Sequence, residues 1–298
     1  MKLKRKKRNV SFKALVFWIL FLLFIFSFFW LRPRQWPKEK KLILAYPSQN
    51  DLVVAVFDPK NKEITKIIIP GNCEVEVARN LGRWKAKSLW QLGINEKHVG
   101  YLMSDTIIKN FKIPVNAWAD SSAQSYFEAN IFKVLRLTFF PYKTNLSFVD
   151  KLNLALFCLQ VKEFKRSEYD LKKGLMLAER RLLDGEKGYV LTGEIDSKLL
   201  VIVGDEEISQ KGIRVIIYDA STKPFLAETV SKVIGVMGGK VFSIVASEQG
   251  NLDCLIRGKE KKLARLFADV FSCQVSEKKI NENFDLEITL GEDFSRRF

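Results

Sequence analysis

Four cations and two tryptophans fall within twelve residues: Arg79, Arg83, Trp84, Lys85, Lys87 and Trp90. Guanidinium and ammonium groups hold phosphate oxygens, and an indole offers an apolar face to a sugar ring. Two readings are open. The string is either a ligand-binding site for a phosphorylated glycan, or a solvated charged edge with its tryptophans turned into the core. Little else supports catalysis. A single histidine, His98, excludes Ser-His-Asp triads, two-histidine metal sites and HExxH zinc chemistry, and it reads as a surface residue. Ser88 and Ser104 have no recognisable base. Cys73, Cys158, Cys254 and Cys273 form no CxxC pair, which leaves a Cys254–Cys273 bridge or four buried thiols as alternatives. The consecutive acids Asp205, Glu206 and Glu207 point in different directions and read as a solvated loop. The residues alone name no catalytic group, no metal ligand and no cofactor.

The elements that must carry these residues form an α/β pattern. Asp51–Phe57 and Ile64–Ile69 are β-branched runs joined by the turn-rich DPKNKE, so they predict a hairpin, stopped by Pro70 and Gly71. Apolar spacing predicts a helix over Glu96–Phe111, a short strand at Val115–Ala119 and a second helix over Ser121–Leu137. Ser147, with Asp150 three residues on, opens a third. Leu182–Thr192 predicts a turn and a strand. From Gln210–Gly212 onward the pattern is cleaner. Strands at Ile213–Tyr218, Lys240–Ala246, Leu252–Ile256 and Phe284–Leu290 alternate with helices over Pro224–Gly238 and Lys259–Phe271, a two-layer βαββαβ module. The expected organisation is an α/β domain over 42–210 and the smaller module over 211–298.

The chain has 298 residues and a net charge of +15. That sum suggests a nucleic-acid binder until its location is read. Twelve of the 49 basic residues and one of the 34 acidic ones lie in residues 1–41, leaving 37 against 33 in the body. Seven cations in residues 1–13 precede Ala14–Leu31, an uncharged apolar run. As a helix that run rises about 27 Å, close to the roughly 30 Å hydrocarbon thickness of a bilayer. No small-residue cleavage site follows it, so it predicts a single-pass transmembrane helix. Trp30 and Trp36 flank its far end as interfacial aromatics, and residues 32–41 form a polar linker. The larger number of Lys and Arg before the run places the N-terminus in the cytoplasm and the body outside the cell membrane. No helix-turn-helix or other nucleic-acid reader follows the basic tail, whose partner is therefore the bilayer.

With these segments in place, the sequence resembles a known family. Lys211–Phe294 resembles the LytR C-terminal domain, through IIYDAS at Ile216–Ser221, a helix ending in glycine, and the closing DLEITLGEDF at Asp285–Phe294. The family's usual Asn-Gly-(Ser/Thr)-Gly turn is replaced by Tyr218, Asp219, Ala220 and Ser221. The preceding domain resembles a divergent LytR/CpsA/Psr (LCP) domain, carried by IIIPGNCEV at Ile67–Val75, GRWKAKSLWQLG at Gly82–Gly93 and FKIPVNAWAD at Phe111–Asp120. The resemblance implies transfer of a glycan from a polyprenyl-pyrophosphate carrier to peptidoglycan, assisted by a divalent metal. Active members carry Pro-Arg-Asp where this chain has Pro70, Gly71 and Asn72. Their later arginine-rich segment meets only Glu163, Lys165, Arg166 and Glu168, at a different spacing. The expectation is a membrane-anchored, non-catalytic binding or scaffolding module for wall or surface-polymer assembly, with a polyprenyl-phosphate glycan or wall polymer as partner. The alternatives are an active LCP-type phosphotransferase, for which alone a divalent metal is required, and a membrane-linked regulator.

Overall fold

A computed structural model describes residues 36–298 except 38, 129, 183 and 249–252, together with Phe17. The expected span Ala14–Leu31 and the basic tail lie outside the described residues, Phe17 apart. Among the described residues no helix is long and apolar enough to cross a membrane.

The first part of the chain runs through β1 (Leu42–Pro47), β2 (Leu52–Asp58), β3 (Glu63–Ile69) and the small ribbon β4 (Glu74–Glu76) and β5 (Arg83–Lys85). Next come α1 (Leu89–Asn95), α2 (Tyr101–Phe111), β6 (Ala117–Trp118), α3 (Ile131–Phe139), α4 (Phe148–Gln160) and β7 (Arg166–Asp170). A hairpin of β8 (Leu177–Arg181) and β9 (Lys187–Leu191) precedes two short helices, α5 (Ser197–Val203) and α6 (Glu206–Lys211). The main sheet has the order β6-β1-β2-β3-β7. The predicted hairpin is the antiparallel pair β2–β3, and Asp58 turns it by accepting from the amides of Lys60 and Asn61. As the central strand, β2 is buried at every position. Its alternate residues serve two cores. Val53, Ala55 and Phe57 pack with α3 and α4, whereas Leu52, Val54 and Val56 pack with α1 and α2.

The second sheet contains β10 (Arg214–Asp219), β11 (Lys240–Ala246), β12 (Cys254–Gly258), β13 (Gln274–Val275) and β14 (Leu286–Leu290), in the order β11-β10-β14-β12-β13. Its helices are α7 (Leu226–Met237), α8 (Lys261–Phe271) and α9 (Glu292–Arg297). Strand β13 and helix α9 extend the expected βαββαβ order. Gly238 ends α7 in the left-handed region at φ 102°, which a glycine reaches without the steric cost other residues bear. One buried cluster runs from the inner face of the first sheet through α2 into α7 and α8.

Several expectations change on folding. The helix expected from Glu96 starts at Tyr101, because Lys97 is left-handed at φ 60° and the His98 amide turns back to the Gly93 carbonyl, closing α1 first. Ser121–Leu137 is not one helix: a 3₁₀ segment, Ser121–Tyr126, is capped by Asp120, and α3 starts anew with Asn130 as its cap. Ser147 and Asp150 do form the expected reciprocal capping box of α4. Asp205, Glu206 and Glu207 are not a loop, since Asp205 caps α6 and the two glutamates occupy its first turn, where the helix dipole favours them. Trp36 is not interfacial. Its ring is buried at 2% exposure, edge-on to Phe157 of α4, and Lys40 bonds Asp205 and Glu207, so the second half of the expected linker is part of the body. Of the two cysteine arrangements, the structure has the bridge: Cys254 and Cys273 are disulfide-linked, while Cys73 and Cys158 are buried free thiols.

Candidate functional site

The cations from Arg79 to Lys87 do not converge on one another. Arg83 is exposed and reaches Glu74 at 3.6 Å, and Lys85 is held between Asp184 and Glu186 of the β8–β9 turn. Lys87 is exposed beside Gly71, to whose carbonyl its amide donates. Trp84 is 44% exposed and bonds the Leu81 carbonyl, whereas Trp90 is half-buried against Trp118. Of the four cations, Arg79 alone turns inward. It occupies the left-handed region at φ 65°, followed by Asn80 at φ 56°, a strained pair for non-glycine residues.

Arg79 meets a charge cluster that no motif announces. Helix α2 carries Asp105 inward to 5% exposure, in the field of Arg79, Arg297 and Asp253. Burial pushes the Asp105 carboxyl up to about 6, the Asp253 charge adds to the rise, and the two guanidinium groups oppose it. Arg297, on α9, donates to Asp253 Oδ1 at 2.8 Å and to the Phe271 carbonyl at 2.8 Å. Lys223 bridges Asn80 and the Ser295 carbonyl, so both sheets grip the Arg79 turn. None of the cavities described below reaches Asp105. The cluster is a clamp between α2 and α9, not an open centre for chemistry.

The cluster makes stability depend on pH. Because Asp105 titrates higher folded than the ordinary 3.8, the stability it contributes is complete below about pH 4 and is lost as pH rises through about 6. The loss should be about 2–3 kcal/mol. Urea unfolding midpoints between pH 4 and 7 should fall along this limb for the native chain and stay flatter for Asp105→Asn. An equal slope in both would reject this origin.

Of the two positions compared above with Arg-Asp of the LCP motif, Gly71 is closed and Asn72 is half-exposed. A Cβ on Gly71 would lie 1.7 Å from the Asn50 carbonyl oxygen and 3.0 Å from the Lys87 Cβ. Asn72 donates to the Lys187 carbonyl. Arg166 spends its terminal nitrogens on the carbonyls of Tyr126, Phe127, Cys158 and Val161, capping the end of α4. Nor do the donors fit a divalent metal. Among the described residues no three of His, Cys, Asp and Glu are grouped to hold one.

A groove of about 660 Å³ opens between the Trp36–Lys40 segment, α6 and α8. Trp36, Ile208, Leu263 and Leu266 supply an apolar wall, and Lys262, Arg265 and Asp269 face it. Lys40 and Lys211 on its rim are tied to Asp205, Glu207 and Glu260. Among the described residues no ion pair ties Lys262 or Arg265. Burial pushes Asp269 up to about 6, with Arg265 opposing and Asp150 adding to the rise. Sequence reasoning missed this groove, because its cations are ordinary polar-face residues of α8 and Trp36 reaches the same groove only by packing on α4.

No protein-family model matches the chain, and no curated protein matches it. Among solved structures the chain is similar to Bacillus subtilis TagT, at 13% identity and a TM-score of 0.37, over 54% of this chain and 88% of that one. It is similar at 16% identity and a TM-score of 0.37 to "LytR-CPS2A-psr family protein YwtF (TagT) with bound octaprenyl pyrophosphate lipid", over 54% of this chain and 88% of that one. A third is Lin1025 from Listeria innocua, at 11% identity and a TM-score of 0.36, over 51% and 91% of the two chains. Likenesses at this level leave the chemistry to be argued from this chain's own residues.

Proposed function

We propose that the chain is a membrane-anchored, extracytoplasmic cell-envelope protein that binds an anionic, lipid-linked envelope polymer or its phosphorylated carrier without transferring it. The observation that carries this reading is the groove. An apolar wall beside two cations that no ion pair ties among the described residues suits an amphiphile with a phosphorylated head, and Trp36 sets the groove five residues beyond the apolar run Ala14–Leu31. Closure of the Gly71 position and the amide at Asn72 support binding over transfer, because charge building on a phosphoryl group would meet neither the arginine nor the carboxylate of the family's motif. The bridged pair Cys254–Cys273 suits an oxidising compartment. The string of Arg79, Arg83, Trp84, Lys85, Lys87 and Trp90 is the competing location, with Arg83, Trp84 and Lys87 as its exposed members.

The test is binding of a radiolabelled polyprenyl-phosphate glycan to the full chain in nanodiscs. Lys262→Glu and Arg265→Glu should each weaken binding about tenfold, while Arg83→Ala with Lys87→Ala should not. The reverse ranking would move the site to the β4–β5 ribbon. Divalent-metal-dependent release of polyprenyl phosphate would sink the non-transferring reading.

A further inference from the structure

Helices α3 and α4 each have two apolar faces. Inward, Val134, Leu137, Leu154 and Cys158 pack on the main sheet. Outward, α3 exposes Phe132 at 81%, Leu135 at 41% and Phe139 at 64%. Leu152, Leu156 and Leu159, spaced four and three residues apart, form the matching exposed stripe of α4. The helices pack on one another and on the same side of the sheet, so their outward stripes lie side by side, with Phe140 at 63% and Phe164 at 77% beyond the helix ends. Large apolar side chains left this exposed in a contiguous group mark an interaction surface.

Charge and chain geometry say what covers it. From Ile131 to Lys162 the sequence holds five cations, Lys133, Arg136, Lys143, Lys151 and Lys162, and one acid, Asp150, which is fully buried. Lys133 is paired with Glu128 at 2.6 Å, while among the described residues no ion pair ties the other four, so a nearly neutral body has placed a net basic rim around this exposed apolar face. Trp36, the first residue of the described body, is buried against Phe157 of α4, so the chain coming from Ala14–Leu31 reaches the body at this pair of helices.

We propose that the outward face of α3 and α4 docks into the anionic surface of the bilayer that the chain's own apolar run enters. The phenylalanines and leucines enter the headgroup and acyl boundary, and the cations of the rim meet lipid phosphates. The docking rests on reading Ala14–Leu31 as a membrane span, not on any ligand in the groove. Asn153, on the same helix, lines the groove. Docking therefore brings the groove's mouth to the membrane and turns a tether of a few residues into a fixed orientation.

Nitroxide labels on the full chain test this, with Phe139→Cys as the probe and Phe242→Cys, exposed on β11, as the aqueous control. The native cysteines are bridged or buried, so labelling is selective. In phosphatidylglycerol-containing vesicles the label at 139 should lose relaxation by an aqueous nickel chelate and gain relaxation by oxygen, while the label at 242 stays aqueous. Lys133→Glu with Arg136→Glu, or vesicles of phosphatidylcholine alone, should restore nickel access at 139. An aqueous signal at 139 in anionic vesicles overturns the proposal. Protection there that ignores both lipid charge and the charge reversals would assign the face to residues 14–31 and overturn it. Dipolar broadening that grows with the protein-to-lipid ratio would assign it to a second copy, with the same consequence. Binding of the labelled glycan in the groove is scored separately, so either reading can fail alone.

Discussion

Arg297→Ala should destabilise the chain by about 2–4 kcal/mol, because carbonyls at the end of α8 lose a charged donor and the side chain's packing goes with it. The side chain is only 15% exposed and works in four directions. Its Nε holds Asp253, its Nη2 donates to the carbonyls of Phe271 and Ser272 at the end of α8, its plane lies 4.6 Å over the Phe294 ring, and its charge faces Asp105. Alanine would leave two carbonyls without donors and Asp105 with Arg79 alone. Arg297→Lys should recover less than half of the loss, because an ammonium cannot serve a carboxylate and a carbonyl pair in fixed directions. A double-mutant cycle with Asp105→Asn isolates the long-range part, since removing the acid first should make the loss of Arg297 cheaper. The readout is the urea midpoint of the full chain in micelles, and a cost below about 1 kcal/mol, the level of a surface pair, would refute the clamp.

The second large effect is expected at Gly71. Gly71→Ala should cost about 2–4 kcal/mol, as overpacking against backbone does when no flexible side chain can give way. The Gly71 amide donates to Asp51 Oδ1 at 3.0 Å and its carbonyl accepts from Lys87 at 3.1 Å, so both flanks resist the shift that a Cβ 1.7 Å from the Asn50 oxygen would demand. Space, rather than an unusual φ, requires glycine here. Introducing the Arg-Asp pair of the LCP motif with Gly71→Arg and Asn72→Asp should therefore lower stability at least as much and yield no glycan transfer. A stable double variant that releases polyprenyl phosphate would show that the loop still accommodates an active site.

The elements most legible in the sequence were those whose partners are close along the chain. The β2–β3 hairpin follows from two β-branched runs and an Asx turn, and α4 from a capping box three residues long. Glycine at 238 ends α7 because its backbone freedom acts locally. Where the pattern misled, a local competitor had won. Asn130 caps a new helix inside one apolar period, and Lys97 breaks another by turning left-handed. The candidate string shows the same limit from the side of function. Spacing could gather Arg79, Arg83, Lys85 and Lys87, but it could not say that Arg83 meets Glu74 across its own ribbon, that Lys85 finds acids on the β8–β9 hairpin or that Arg79 faces Asp105. An acid among the buried positions of α2 was the one available signal for that cluster, and nothing local connects it with Arg297, 192 residues away.

By itself the sequence determined the partition of charge, the apolar run and the mixed α/β pattern. Each of these is a property of composition or of spacing within a few residues. Tertiary structure alone decided that Gly71 has no room for a side chain, that Trp36 belongs to the body and walls a groove, and that α3 and α4 keep a second apolar face outside the core. The physical reason is common to all three. Whether a cation is free, a cavity open or a leucine covered depends on what the fold brings against it from a distant part of the chain, and periodicity carries no information about that partner.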